Sequence, residues 1–247
     1  MTSQTWLILG GSSSIARAFA RLVAAEGADV LLAGRDIEDL RRTAADLRVR
    51  GGVPARTMEF DARALDTHDA FVRACRQRAE GRLNVFVAFG AMPDQSAAET
   101  DFAKALEAIH VNYIGTLSIL SRLAPAMAEQ EGGSIVVLGS VAGDRGRRKN
   151  YVYGSAKAGV HAYLQGLRAR LAHRKVRVVT VKPGFLDTAM TWGLAGILFP
   201  ARPEAAARAC LRLARRGPET AYVPWFWGPV MAAIRLIPEP LFKRLNI

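Results

Sequence analysis

The chain has 247 residues, half of them hydrophobic, and a formal net charge of +12. This length and composition fit a single α/β domain with a large core and exclude a disordered chain. Only two cysteines occur, and the aromatic residues are not interleaved with the basic ones, which argues against a disulfide framework and against nucleic-acid binding.

A strand, a turn and a helix open the chain. The apolar run 6–9 stops at the Gly/Ser turn 10–14, behind which apolar residues recur at helical spacing from Ile15. On that helix, Arg17 and Arg21 are expected to face away from the core. A second strand follows at 29–33, and Asp36 is placed to cap the next helix.

Strands and helices alternate through the rest of the chain. Further strands are predicted at 57–60, 84–89, 134–138, 176–181 and 221–223. Helices are predicted at 66–79, from 101 to about 127, at 151–172 and at 203–216. This alternation predicts one doubly wound Rossmann-type α/β domain, residues 1–247, with helices on both faces of a seven-stranded parallel sheet in the order 3-2-1-4-5-6-7.

The first turn carries small residues where a dinucleotide fold requires them, at Gly10, Ser14 and Ala16. Small side chains let the backbone approach a pyrophosphate, whose charge is stabilised at the N-terminus of the following helix. A tight turn without a ligand has the same composition, but its place in an N-terminal βαβ unit favours the cofactor interpretation. The expected contacts are Gly10, Ser12, Ser13, Ser14 and Ile15.

Arg35 follows the second strand, where an NAD-selective site usually has a carboxylate for the ribose hydroxyls. A guanidinium at this position matches the geometry of a 2′-phosphate. The alternative is that Arg35 only pairs with Asp36 or Asp39. We therefore favour NADP(H) over NAD(H), and we expect Asp61, just after the third strand, to cap the adenine pocket.

Tyr153 and Lys157 lie four residues apart at the start of a predicted helix, which places the phenol and the ammonium on one face. A cation beside a phenol lowers the pKa of the phenol, which suits proton transfer near neutral pH. Ser140 follows the apolar run 135–139, at the carboxyl edge of the sheet. The Tyr-Lys spacing alone is a weak signal, and the order of the other motifs gives it weight.

These motifs together resemble the short-chain dehydrogenase/reductase family over nearly the whole chain. They are, in order, Gly10-x-x-x-Ser14-x-Ala16, Asn112, Ser140, Tyr153-x-x-x-Lys157 and Pro183-Gly184. The resemblance implies hydride transfer between a nicotinamide and a carbonyl or alcohol. Tyr153 would be the proton donor, and Ser140 would hydrogen-bond the substrate oxygen. Lys157 would bind the nicotinamide ribose, and Asn112 would hold the water of a proton relay. The remaining implied cofactor contacts are Ala88, Gly90, Pro183, Gly184 and Thr188.

The chain departs from the family pattern at two places in the cofactor site. The Asn-Asn-Ala-Gly that usually follows the fourth strand reads Val87-Ala88-Phe89-Gly90, and the first turn has Ser14 and Ala16 in place of glycines. With the segment 142–155 and the ending 234–245, these departures resemble one subgroup, the reductase component of decaprenylphosphoryl-ribose 2-epimerase. That resemblance implies reduction of a polyprenylphosphoryl 2-keto-pentofuranose to the arabinofuranose epimer, after a separate flavin oxidase has made the ketone.

Two other functions stay open at this stage. One is reduction of a soluble ketone or an acyl thioester by the same chemistry. The other is a dinucleotide-binding interaction module without turnover. The intact set of Ser140, Tyr153 and Lys157 argues against the module, because a protein that only binds has no use for a tuned phenol.

The loop between Ser140 and Tyr153 is strongly basic, with four cations in the five positions 145–149. In this fold the loop would border the mouth of the active site. A solvated loop is one interpretation, and a substrate phosphate contact, worth roughly 1 kcal/mol for each exposed cation near an anionic surface, is the other. The residues predicted to contact substrate are Arg145, Arg147 and Arg148.

Residues 224–247 form an apolar and basic C-terminal extension, and the region 185–201 is where the resemblance places a substrate-covering loop. Apolar surface rich in Trp beside cations suits a membrane interface. We expect these segments, including the apolar stretch 192–199, to guide a prenyl chain and to dock the protein peripherally. Core and subunit interface are the alternatives, since members of the family are commonly homo-oligomers.

No signal-peptide pattern and no uncharged apolar run of about 18 residues occurs, so we expect a cytoplasmic protein, with contact to the inner face of the membrane. The four histidines are scattered and lack acidic partners at ligand spacing. We therefore assign them neither a metal nor a catalytic role.

Overall fold

The structure, a computed structural model, describes residues 3–188 and 200–245. Seven parallel strands form one sheet in the order 3-2-1-4-5-6-7, which confirms the predicted topology. The strands are β1 Gln4–Leu9, β2 Asp29–Gly34, β3 Ala55–Glu59, β4 Arg82–Val87, β5 Ser134–Leu138, β6 Arg177–Pro183 and β7 Thr220–Val223. The order reverses between β1 and β4, which opens a crevice at the carboxyl ends of the strands.

Helices cover both faces of the sheet and bury two apolar layers. On one face α1, α2 and α8 pack against the sheet, and on the other α3, α6 and α7 do so. The helices are α1 Ser14–Ala25, α2 Ile37–Gly51, α3 His68–Arg78, α4 Gln95–Thr100, α5 Phe102–Ile109, α6 Gly115–Glu129, α7 Tyr151–Leu171, α8 Pro203–Arg215, α9 Trp227–Leu236 and α10 Glu239–Phe242. As predicted, the Asp36 carboxylate caps α2, where it accepts from Asp39 N.

The single helix predicted from 101 to about 127 is interrupted. Asp101 caps α5, and a π-helical turn at His110–Ile114 joins α5 to α6. A π turn inserts one residue and changes which side chains face the sheet, an event that apolar periodicity alone does not show. The short helix α4 was also absent from the prediction.

The C-terminal extension returns to the carboxyl edge of the sheet. Trp227 and Met231 of α9 are buried against Val141 in a small third cluster. Within residues 3–188 and 200–245, no helix is both long and apolar enough to cross a membrane.

Candidate active site

The turn between β1 and α1 is shaped by Gly10, which has a φ of +80°. A Cβ at this position would lie 2.6 Å from the backbone nitrogen of Phe89, so only glycine fits. Ser13 caps α1, because its side chain accepts from Ala16 N at 3.2 Å. The free N–H groups of the first turn of α1 therefore open toward the crevice and favour an anion there.

Two adjoining cavities follow the carboxyl edge of the sheet, with volumes of about 540 and about 310 Å³. They share the walls made by the first turn and by Ala88 and Gly90. Those of the expected cofactor residues that line the larger cavity are Ser12, Ser13, Ser14, Ile15, Ala88, Gly90, Tyr153, Lys157, Pro183 and Thr188. Those that line the smaller cavity are Gly10, Ser12, Ser13, Arg35, Asp61, Ala88 and Gly90.

Gly184 is the expected contact that lines neither cavity. A Cβ on Gly184 would lie 1.9 Å from Trp227 Nε1, so the residue is glycine because α9 packs directly against it. Gly184 therefore supports the cavity wall from behind, next to Pro183. Gly90, by contrast, leaves room within the crevice, where a Cβ would approach Asn112 Oδ1 to 2.8 Å.

The described charged side chains near the smaller cavity leave Arg35 without a carboxylate partner. Arg35 is exposed and forms no ion pair within the part of the chain that the structure describes. Asp39 pairs instead with Arg17, at 2.5 Å, and Arg17 lines the larger cavity. The long side chain of Arg17 reaches back over the first turn, where its Nε donates to Ser12 O at 3.2 Å.

Asp61 also lines the smaller cavity. Arg63 binds its carboxylate with two side-chain nitrogens, at 2.8 and 3.1 Å. These hydrogen bonds from Arg63 hold the pKa of Asp61 below its ordinary value. The small side chains, the glycine cradle at Gly10 and the unpaired Arg35 fit a nicotinamide dinucleotide.

Tyr153 and Lys157 lie in the first turns of α7 and are both buried. The Lys157 ammonium donates to Leu138 O at 3.1 Å and lies 5.6 Å from the centre of the Tyr153 ring. Ser140 follows β5 in extended backbone and its side chain accepts from Ala142 N. Tyr153 and Lys157 line the larger cavity, and Ser140 hydrogen-bonds the phenol of Tyr153.

Burial sets the protonation of this group. It raises the pKa of Tyr153 to about 12, and a hydrogen bond with Ser140 acts in the opposite direction. Burial also lowers the pKa of Lys157 to about 8. The low pKa that the sequence argument expects for Tyr153 is not found in the protein alone, because removal of the phenolate from water outweighs the hydrogen bond with Ser140. Tyr153 therefore holds its proton and is suited to donate it.

Asn112 lies in the π turn and is 1% exposed. Its amide nitrogen donates to Ala91 O at 2.6 Å and to Ala108 O at 2.8 Å, and its Oδ1 accepts from Ala91 N. The side chain therefore fixes the backbone that follows β4, beside Gly90. The proton-relay water that the resemblance assigns to Asn112 stays a prediction.

A buried polar cluster behind Ser140 was absent from the sequence prediction. It consists of His161, Asp144, Lys182 and Tyr222, joined by contacts of 2.5 to 3.6 Å. His161 is one helical turn beyond Lys157, so the spacing Tyr153, Lys157, His161 was a readable signal for it. The other members come from three separate segments, which only the fold brings together.

The cationic side chains of the loop 145–149 lie in different environments. Arg145 donates to Ile234 O at 2.5 Å and to Ile237 O at 2.6 Å, and its guanidinium lies 3.7 Å from the centre of the Phe242 ring. The expected phosphate contact from Arg145 does not fit this arrangement, because its donors are committed to the carbonyls at the end of α9. Arg148 is exposed.

Arg147 is the unusual member of this loop. Its Nε is buried without a hydrogen-bond partner, and the described residues offer its guanidinium no ion pair. Burial lowers the pKa of Arg147, while the charge of Asp144 acts to raise it. Withdrawing part of a guanidinium from water without a hydrogen-bond partner at Nε is costly, and an anion bound beside it would remove much of that cost.

The C-terminal extension has a buried inner face and an apolar outer face. Trp225, Leu236 and Leu241 are among its exposed side chains, at 78, 82 and 57%. In the region 185–201, a bridge between Leu186 and Ala201 closes the base of the loop, and Thr188 lines the larger cavity. The apolar stretch predicted to cover the substrate, 192–199, lies outside the described residues.

Comparison with known proteins agrees with this geometry. A sequence model of the short chain dehydrogenase family matches residues 4–195. An uncharacterized oxidoreductase of Mycobacterium tuberculosis is 39% identical over 97% of this chain and 96% of its own. A 3-oxoacyl-[acyl-carrier-protein] reductase of Bos taurus is 33% identical over 74% of this chain and 76% of its own. The crystal structure of a short chain dehydrogenase from Burkholderia cenocepacia in complex with NADP superposes with a TM-score of 0.84 over 100% of this chain and 98% of that chain, at 20% identity.

Proposed function

The chain belongs to the short-chain dehydrogenase/reductase family, and from that premise we propose that it uses NADPH to reduce a ketone that carries a phosphate. The family is one of NAD(P)-dependent oxidoreductases that act on CH–OH groups. The substrate we propose is a polyprenylphosphoryl 2-keto-pentofuranose, which would be reduced to the arabinofuranose epimer. A separate flavin oxidase would supply the ketone.

The observation that carries the phosphate is the unpaired Arg147. Its side chain is partly buried in the loop that joins Ser140 to Tyr153, the two residues that would hold the ketone. A planar guanidinium binds phosphate through two parallel hydrogen bonds. A substrate phosphate would therefore supply the partner that Arg147 lacks.

The reaction needs a proton at the carbonyl oxygen and a fixed substrate. The bound reduced nicotinamide supplies the hydride. Tyr153 carries the proton, since burial raises its pKa to about 12, and Ser140 holds the carbonyl oxygen beside the phenol. Lys157 bonds Leu138 O with one of its three donors, which leaves others for the cofactor ribose. Asn112 fixes the backbone beside Gly90, where the nicotinamide would lie.

The preference for NADPH rests on Arg35. Its guanidinium is exposed at the rim of the smaller cavity, and the carboxylates expected to compete for it are engaged elsewhere: Asp36 caps α2, and Asp39 pairs with Arg17. A 2′-phosphate at this rim would meet a cation and no free carboxylate at the end of β2.

The prenyl part of the substrate finds support in the C-terminal extension. Its outer face exposes Trp225, Leu236 and Leu241, with Arg235 and Lys243 also exposed. Aromatic and aliphatic side chains beside cations suit the interface of an anionic membrane, where such a substrate resides. A second copy of the chain covering this face is the competing occupant.

A second candidate function is favoured by one comparison. The relative from Bos taurus is a 3-oxoacyl-[acyl-carrier-protein] reductase, and the same three side chains would reduce a 3-oxoacyl thioester by the same chemistry. This substrate differs from the first in where its phosphate lies, since an acyl carrier holds it at the far end of a long arm. Arg147 distinguishes the two.

The test compares NADPH oxidation with a short-chain prenylphosphoryl 2-keto-pentofuranose, an acetoacetyl thioester and a neutral ketone. We expect the phosphorylated ketose to be the best substrate, and Arg147→Met to raise its KM roughly 10- to 100-fold, the value of one or two charge-assisted hydrogen bonds. The matched variant Arg148→Met, at an exposed cation, should change the KM by less than about threefold. Equal KM changes for the neutral ketone would contradict the phosphate contact.

A further inference from the structure

His161 packs directly behind Ser140 and is a member of the buried polar cluster. Its Nε2 accepts from Ser140 N at 3.4 Å, and its Nδ1 lies 3.6 Å from Asp144 Oδ1. The ring is so close to the Ser140 turn that a Cβ on Gly139 would lie 2.4 Å from Nε2, and one on Gly143 would lie 2.7 Å from Cε1. Two glycines thus admit the imidazole on either side of Ser140.

Asp144 is the centre of the cluster and its side chain is 3% exposed. Lys182 Nζ donates to Oδ1 at 2.5 Å, and Tyr222 Oη donates to Oδ2 at 2.6 Å. Lys182 lies on β6 directly before Pro183, and Tyr222 lies on β7. The carboxylate therefore joins the turn that carries Ser140 to the end of β6, where Pro183 lines the larger cavity.

We propose that His161, Asp144 and Lys182 are positioning residues that hold Ser140 against Tyr153 and keep the Ser140 turn in register with Pro183. His161 holds the turn in place by accepting a hydrogen bond from the backbone N–H of Ser140. Asp144 orients the ring of His161 and links it to Lys182. None of these side chains lines the larger cavity, so they act through Ser140 and Pro183 and do not touch the substrate.

The arrangement fixes the form of the imidazole. Because the Ser140 N–H donates to Nε2, that nitrogen must be unprotonated, and the ring proton then lies on Nδ1, toward Asp144. Burial, with the nearby charges of Lys182 and Lys157, lowers the pKa of His161 to about 4, while Asp144 acts to raise it. The ring is therefore neutral at neutral pH and serves as a fixed acceptor.

Nitrogen NMR of the imidazole tests the geometry without any turnover. We expect the ¹⁵N shifts of His161 near neutral pH to be those of the neutral Nδ1–H tautomer, and Asp144→Asn to introduce the other tautomer. An Nε2–H tautomer or an imidazolium in the wild type would overturn the proposal. Because this readout needs no substrate, it tests the hydrogen bond between Ser140 N and His161 even if the chain reduces no ketone. The kinetic consequence rests on the proposed function, so failure of that function is seen separately.

Kinetics test the consequence, with whichever ketone the wild type reduces. His161→Leu should lower kcat roughly 10- to 100-fold, since small displacements of a positioning group cost this much. The KM for the ketone and the dissociation constant of NADPH should change by less than about threefold. His161→Gln should recover most of kcat, because its amide oxygen can accept from Ser140 N.

His173→Leu is the matched control, since His173 is exposed just beyond the end of α7. It should leave kcat unchanged. Rates are normalised to the sites that bind NADPH, so that loss of folded protein does not count as loss of turnover. An unchanged kcat in His161→Leu, or an equal loss in His161→Gln, would overturn the positioning role.

Discussion

The two halves of the crevice handle charge in opposite ways. In the cofactor half, around the smaller cavity, Arg35 is exposed and Asp61 is satisfied locally by Arg63 two residues on. In the reaction half, Tyr153 and Lys157 are buried, and burial shifts the pKa of each toward the neutral form. Water screens the first set of charges and is excluded from the second, so substitutions in the reaction half should have the larger effects.

The largest expected effect is that of Tyr153→Phe. Removal of one hydroxyl takes away the proposed proton donor, and the rate of ketone reduction should fall roughly 10²- to 10⁴-fold. The dissociation constant of NADPH should change by less than about threefold, because the phenyl ring of the variant still forms the same part of the wall of the larger cavity. Stopped-flow NADPH oxidation and fluorescence titration measure the two quantities.

Tyr151→Phe provides the control for that experiment. Tyr151 lies on the same helix, two residues earlier, but is 46% exposed and outside the larger cavity. Its rate should match that of the wild type. A non-catalytic module predicts instead that neither variant changes NADPH oxidation, since there would be none above background.

The next effect in size concerns the buried ion pair. Asp144→Asn leaves the Lys182 ammonium buried without its charge partner, and removal of one member of such a pair costs about 3–5 kcal/mol of unfolding free energy. The double variant Asp144→Asn with Lys182→Met should recover much of that loss. Urea unfolding of the three proteins measures it, and a double variant no more stable than Asp144→Asn would contradict the pairing.

The pH dependence of the reaction half is set by Lys157. Its pKa of about 8 means that the ammonium is charged below that pH and neutral above it. If the charge is needed at the cofactor ribose, ketone reduction should fall up to about tenfold for each pH unit above about 8. Lys157→Arg keeps the charge and should remove this decline, whereas a wild-type rate that stays level to pH 10 would contradict it.

The smallest effect belongs to the cofactor half. Arg35→Ala should raise the dissociation constant of NADPH about tenfold and leave that of NADH unchanged, since only the 2′-phosphate meets the guanidinium. Arg42→Ala, at an exposed cation on α2, is the control. Equal weakening of both cofactors would assign Arg35 to the local structure and not to phosphate recognition.

The local features of this protein could be predicted from its sequence. The βαβ alternation, the small residues of the first turn and the Tyr153–Lys157 spacing are all properties of short segments, so they could be read without a structure. The direction of the Tyr153 pKa could not, because it depends on burial by residues from several strands and helices. Asp144 shows the same limit, since its partners Lys182 and Tyr222 are 38 and 78 residues away.

The basic loop 145–149 shows that a run of cations in the sequence does not predict the environment of each side chain. Four cations in sequence look equivalent, yet Arg145 caps the carbonyl end of α9, Arg147 is partly buried with an unpartnered Nε, and Arg148 is exposed. The difference arises from the return of the C-terminal extension to the crevice, which no pattern within the loop records. The substrate assignment therefore rests on Arg147.

The most direct test of a reductive site follows the hydrogen itself. The wild type is mixed with NADPH deuterated at the C4 position that transfers hydride, together with the phosphorylated ketose, and the product is examined by mass spectrometry and NMR. A single deuterium at the new carbinol carbon, absent from the reaction of Tyr153→Phe over the same period, is the predicted result. If NADPH binds but no ketone of the panel gives a deuterated alcohol, the assignment of Ser140, Tyr153 and Lys157 as a catalytic group is contradicted.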